Sequence, residues 1–158
     1  MKDSEQLLKT WSREYPITVK VLKAFPEDKL DFKPHDRSRS AKELAWTLAL
    51  EEKMTLDGIK TGKLEFHNAL KSPDTMAGIL EEFEKTHKEL EQAIKNISPE
   101  REQEKIQFGP MQMTPLEIGW MLLMDSIHHR GQFSVYLRMA GGKVPSIYGP
   151  SADETMGM

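Results

Sequence analysis

Four stretches of the chain repeat apolar residues at alternating steps of three and four, the period of a helix with one buried face. In the first, from about Ser4 to Phe25, the stripe is Leu8, Trp11, Tyr15, Thr18, Leu22 and Phe25. Pro16 falls inside it and is expected to kink or interrupt the helix, since it removes one backbone donor and crowds the preceding turn. The second stretch opens on Ser40-Ala41-Lys42-Glu43, a capping box, and stops near Gly62. The third has Ser72 as N-cap and Pro73 at the first helical position, followed by Met76, Leu80, Phe83, His87, Leu90, Ile94 and Ile97. The fourth opens on a second capping box, Thr114-Pro115-Leu116-Glu117, and ends at Gly141 and Gly142. Its stripe is Ile118, Leu122, Asp125, His129, Phe133, Tyr136 and Leu137.

These patterns predict helices near residues 4–25, 40–61, 73–97 and 115–140, and with them an all-α, antiparallel four-helix bundle forming one domain over residues 1–158. The connections around 26–39 and 98–114 are longer than a minimal up-down bundle needs, which permits a crossover. A short strand or turn is expected around Ile106 to Phe108, and an irregular tail from Val144 onward. Gly131 lies mid-helix, where glycine costs about 1 kcal/mol against alanine, so close packing against a neighbour is expected there.

Composition narrows the function classes. A formal net charge of −3 and a pI near 6.0 give no footprint for nucleic acid. With no cysteine, disulfides, thiolate metal sites and a cysteine nucleophile are excluded. The charged N-terminus lacks the apolar run of a signal peptide and no stretch suits a membrane span, so the expectation is a cytoplasmic protein. There is no Gly-rich phosphate loop, no nucleophile elbow and no HExxH motif.

The candidate chemistry sits in Asp125-Ser126-Ile127-His128-His129-Arg130-Gly131-Gln132. Asp125 and His129 are one turn apart on one helix face, so both can reach a single metal ion. A catalytic zinc usually has three protein ligands, so a third must come from elsewhere. The competing reading is a plain hydrogen bond or ion pair, since a carboxylate in an apolar stripe needs some partner. His128 points about 100° away and is expected to face solvent or make a hydrogen bond at the helix edge. His87 is expected to be a satisfied core residue, and His35 and His67 surface residues. Arg130 and Arg138 are expected to pair with acids, and Trp11, Trp46 and Trp120 to be core or pocket wall.

The sequence resembles the DinB-like superfamily of bacterial four-helix-bundle proteins. The likeness rests on Ser38-Arg39-Ser40-Ala41-Lys42-Glu43-Leu44-Ala45-Trp46, on the run from Ile127 to Arg138 and on the tail from Gly141 to Ser151. It implies a bundle with a crossover, frequent homodimers, and a divalent metal, nickel or zinc, held by one histidine from helix 2 and an H-x-x-x-H pair on helix 4. Relatives include thiol-dependent S-transferases and a mycothiol-dependent isomerase, and others are described as metal-dependent hydrolases. Here the helix 2 histidine aligns on Thr47 and the first of the helix 4 pair on Asp125, leaving His129 as the one retained in kind. Threonine is a poor transition-metal ligand; Glu51, one turn on, or its neighbour Glu52 can supply an oxygen instead.

Two functions therefore stay open. One is a metal-assisted hydrolase or transferase with an altered ligand set, its metal weakly held or absent, any thiol supplied as an external low-molecular-weight cofactor. The other is a non-catalytic, stress-associated member of the fold that binds a small molecule between its helices.

Overall fold

The computed structural model describes residues 2–64, 66 and 70–155; His67 lies outside them. Four long helices pack together: α1 (Asp3–Lys23), α2 (Ala41–Thr61), α3 (Met76–Lys95) and α5 (Pro115–Met139). Between the last two lie a short α4 (Pro99–Gln103) and a two-stranded hairpin, β1 (Ile106–Phe108) with β2 (Met111–Met113), paired Ile106 to Met113. Gly109 turns the hairpin at φ 57°, a conformation glycine adopts without penalty. No helix among the described residues is long and apolar enough to cross a membrane.

Both expected capping boxes form. Ser40 Oγ accepts from Glu43 N at 3.2 Å, and Glu43 returns a carboxylate to Ser40 N at 2.6 Å. Thr114 and Glu117 repeat the exchange at the start of α5. The start of α3 is different from the expectation. Thr75, not Ser72, caps it by accepting from Gly78 N at 3.1 Å, and Glu27 takes the free amide of Met76 at 3.1 Å. Pro16 does not interrupt α1, which is continuous across it. Buried Leu7 and Trp11 before it, and Thr18, Val21 and Leu22 after it, hold both halves against the same neighbours and offset one lost hydrogen bond.

Two apolar clusters show how the helices run. One gathers Val21 and Phe25 from α1, Leu44 and Leu48 from α2, Ile79 and Phe83 from α3, and Phe133 and Leu137 from α5. The other gathers Leu7 from α1, Leu56 and Ile59 from α2, Leu90 and Ile94 from α3, and Leu116 and Leu122 from α5. The C-terminal ends of α1 and α5 thus meet the N-terminal starts of α2 and α3. Helices α1 and α5 run one way and α2 and α3 the other, so the bundle is not antiparallel throughout. Contacts pair α2 with α3 and α5, and α1 with α3 and α5. The crossover is the 62–75 connection, which must return along the bundle because α2 and α3 are parallel.

Between the two clusters the core is polar. Glu14, Thr18, Glu51, Glu52, His87, Ser126 and Arg130 are all buried. Two paired networks fill this belt. Arg130 donates to Glu14 at 2.8 Å and to Thr18 at 3.2 Å, and Tyr148 from the tail donates to Glu14 at 2.5 Å. Glu52 accepts from Trp11 Nε1 at 2.7 Å and meets His87 Nδ1 at 3.1 Å, while His87 stacks on Tyr15 with ring centres 3.7 Å apart. The tail is irregular yet anchored: Asp153 takes Arg138 at 2.6 Å and the amide of Val144 at 2.9 Å.

Candidate metal centre

The third group is Glu51 on α2 facing His129 on α5. The period of α2 buries Leu44, Leu48, Glu51 and Thr55 in succession, which turns the Glu51 carboxylate inward at mid-bundle. His129 Nδ1 lies 2.5 Å from Glu51 Oε1. Asp125, one turn earlier on α5, has its Oδ2 3.9 Å from the same nitrogen. Each of the three offers one donor atom, and those atoms all lie within 4.8 Å of one another. The other oxygen of Glu51, Oε2, is buried without a hydrogen-bond partner.

Burial pushes the Glu51 carboxyl up to about 7, against the pull of the His129 hydrogen bond. The hydrogen bond that His129 donates to Glu51 raises the imidazole above its ordinary value, against desolvation. Asp125 is different: its side chain is 50 % exposed, so it belongs to the rim and not to the apolar face. The buried carboxylate needing compensation is Glu51.

A cleft of about 1130 Å³ opens onto these residues. Its walls are Trp46, Thr47, Leu50 and Met54 from α2, Met121, Leu122, Met124 and His128 from α5, Phe108 from the hairpin, and Leu70, Lys71 and Ser72 from the 62–75 connection. Trp46 Nε1 donates to Leu70 O at 3.1 Å and ties that connection to α2. Thr47 lines the cleft one turn from Glu51, and its hydroxyl donates to Glu43 O and accepts from Arg39, both at 2.9 Å. Glu52 does not reach the cleft. It points to the opposite side of α2, where Trp11 and His87 satisfy it, because adjacent helical residues diverge by about 100°. Burial raises its carboxyl above the usual range, opposed by those hydrogen bonds.

Of the five residues singled out in the sequence, Glu51, Asp125 and His129 come together, Thr47 flanks them and Glu52 stands apart. Arg39 was not singled out as a site residue. It lies in a loop just before the Ser40 cap, and only its place beside the cleft gives it significance.

The bundle with two parallel helix pairs defines the fold class, and the comparisons agree on that fold. The DinB family model matches residues 1–156, and the chain belongs to that family. The uncharacterized protein YrdA of Bacillus subtilis (strain 168) is 28% identical over 156 residues, spanning 95% of this chain and 90% of that protein. A DinB-like protein from Bacillus cereus ATCC 10987 superposes with a TM-score of 0.78 at 21% identity, covering 91% of this chain and 97% of the other. The DinB-like protein YjoA of Bacillus subtilis superposes at 0.72 and 18% identity, covering 96% and 99%. At these identities the two structures speak for the fold.

Proposed function

We propose that this chain is a metal-assisted enzyme of small-molecule chemistry, a hydrolase or a thiol-dependent transferase, with Glu51, Asp125 and His129 as the metal ligands. The observation that carries this reading is the orphaned Glu51 Oε2. A buried carboxylate oxygen without a donor costs roughly 1–3 kcal/mol, and a cation at that point removes the cost. Two carboxylates and one imidazole suit zinc and nickel less well than three imidazoles, and so support weak binding. When bound, such an ion supplies Lewis acidity and orients a substrate. The chain's own contribution is an apolar wall of Trp46, Leu50, Met54 and Leu122 beside the site and the carboxylate–imidazole pair, poised to accept or return a proton. The chain has no thiol, so a transfer to sulfur needs an external one.

The test is calorimetric titration of untagged, chelator-treated protein with zinc and with nickel. Weak, saturable binding that Glu51→Gln abolishes and Thr47→His tightens is the expected result. No binding by wild type or by Thr47→His would sink the reading.

One observation favours a second reading. The 2.5 Å contact between Glu51 Oε1 and His129 Nδ1 already gives each of those two atoms a partner. On that basis the cleft is a non-catalytic binding site, and ligands should bind equally well in the presence of a chelator.

A further inference from the structure

The large cleft shares a wall with a smaller cavity of about 440 Å³, and the two residues common to both are Arg39 and His129. The two spaces differ in chemistry. The cleft is mostly apolar, with Trp46, Leu50, Met54 and Leu122 among its walls. The small cavity is bordered by Ser38, Gln132 and Tyr136, with Leu44 as its one aliphatic side chain.

The cations around the cleft are not equivalent. Lys42 faces Asp74 at 3.6 Å. Lys71 lines the cleft but does not border the small cavity. Arg39 borders both. Arg39 is exposed, and among the described residues its guanidinium has one hydrogen-bond partner, the Thr47 hydroxyl at 2.9 Å, and no carboxylate in ion-pair range, although its charge reaches the Glu43 carboxyl and helps to lower it. That hydroxyl spends its own proton on Glu43 O, so toward Arg39 it can only accept. One N–H is thereby pinned and the other donors of the fork are left for a ligand. The charge of Arg39 is close enough to His129 to oppose protonation of that imidazole.

We propose that Arg39 is a specificity-determining residue that holds the anionic end of a small amphipathic substrate, a carboxylate or a phosphate monoester, in the small cavity beside His129. The apolar body of that substrate lies in the large cleft. Guanidinium binds both anions through paired N–H donors, and a cavity shared with His129 puts the charged end next to the candidate metal centre. The proposal rests on the reading of the cleft as a substrate site.

Two probes with one apolar body separate charge from burial: 8-anilinonaphthalene-1-sulfonate, which is anionic, and N-phenyl-1-naphthylamine, which is neutral. Both are titrated by fluorescence into the full chain in the presence of chelator. Arg39→Gln should weaken the anionic probe at least about tenfold and leave the neutral one unchanged, as loss of a charge-assisted hydrogen bond requires. Thr47→Val should give part of that loss, and Thr47→Ser should restore it. Decanoate and decyl phosphate then compete for the site, and the one whose displacement of the probe depends on Arg39 identifies the anion. Equal effects on both probes, or displacement by neither competitor through Arg39, would overturn the proposal. Zinc titration of the wild type involves neither probe, so the metal reading can fail while the anion arms still decide.

Discussion

At Gly119 a side chain has nowhere to go: a Cβ built there lies 2.7 Å from Leu7 Cδ2, and Leu7 is fully buried. Gly119→Ala should therefore destabilise the fold by about 1–3 kcal/mol, the usual cost of overpacking. Gly131 is the opposite case. Nothing lies within 4 Å of a Cβ there, which corrects the expectation of close packing. Gly131→Ala should raise stability by up to about 1 kcal/mol, the helix propensity difference, in urea melts of dilute protein. Glu51 makes a prediction of its own. Its carboxyl titrates near 7 when folded and near the ordinary value when unfolded, so folding takes up a proton between those limits. His129, also raised, adds in the same direction. Metal-free protein should thus lose stability as pH climbs from about 5 to above 7. Glu51→Gln should flatten that decline and gain most on wild type near pH 8; parallel profiles would count against it. Zinc should oppose the decline, since a bound cation displaces protons.

The helices α1 and α5 show what a sequence hides. The buried stripe of α1 is Ser4, Leu7, Trp11, Glu14, Thr18 and Val21, and that of α5 is Leu116, Gly119, Leu123, Ser126, Arg130, Phe133 and Leu137. Each follows the three-four step, but each contains a charge and a small polar residue. The stripes read from the sequence are buried in large part too, with Trp11, Thr18 and Leu22 on α1 and Ile118, Leu122, Phe133, Tyr136 and Leu137 on α5, but an apolar search passes over Glu14, Ser126 and Arg130 and takes in Asp125, which is exposed. Ser72 misleads at α3, where Thr75 is the cap, but the starts of α2 and α5 were legible because their capping boxes are local, and the Asp125–His129 pair because its spacing is local. Glu14 was not, because its reason is Arg130 on a distant helix. Their bond at 2.8 Å is buried on both sides. Arg130→Met should cost about 3–5 kcal/mol by stranding Glu14, whereas the double change to Glu14→Met with Arg130→Met should cost much less. Burial pushes the Glu14 carboxyl up, but hydrogen bonds from Tyr148, Arg130 and Arg13 outweigh it and hold it below the usual range. A depressed carboxyl stabilises above its unfolded value and loses that contribution as pH falls through the folded one. The stability gap between wild type and Glu14→Gln should accordingly narrow below about pH 4.

On the scale of the whole molecule, α5 also has an outward side. Met124, Val135 and Met139 are exposed there at 62%, 56% and 56%. An exposed apolar face of this kind is what a second copy of the chain would cover; if it does, light scattering at micromolar concentration should give a mass near twice 18.1 kDa. Val135→Glu should shift that mass toward one chain; an unchanged mass would place the contact elsewhere. The crossover has a consequence of another kind. Residues 62–75 leave α2 at one end of the bundle and must enter α3 at the other, a distance of about 30 Å for a helix of this length. Fully extended, that connection reaches only ~46 Å. Its slack is therefore one-sided. Doubling its length should cost only about 0.6 kcal/mol of closure entropy. Deleting about five residues should pull it taut and drag Leu70 away from Trp46. Insertions and deletions here should thus be borne very unequally in thermal melts. The wall of the cleft can lengthen, and so change the shape of what it admits, while the four helices behind it stay as they are.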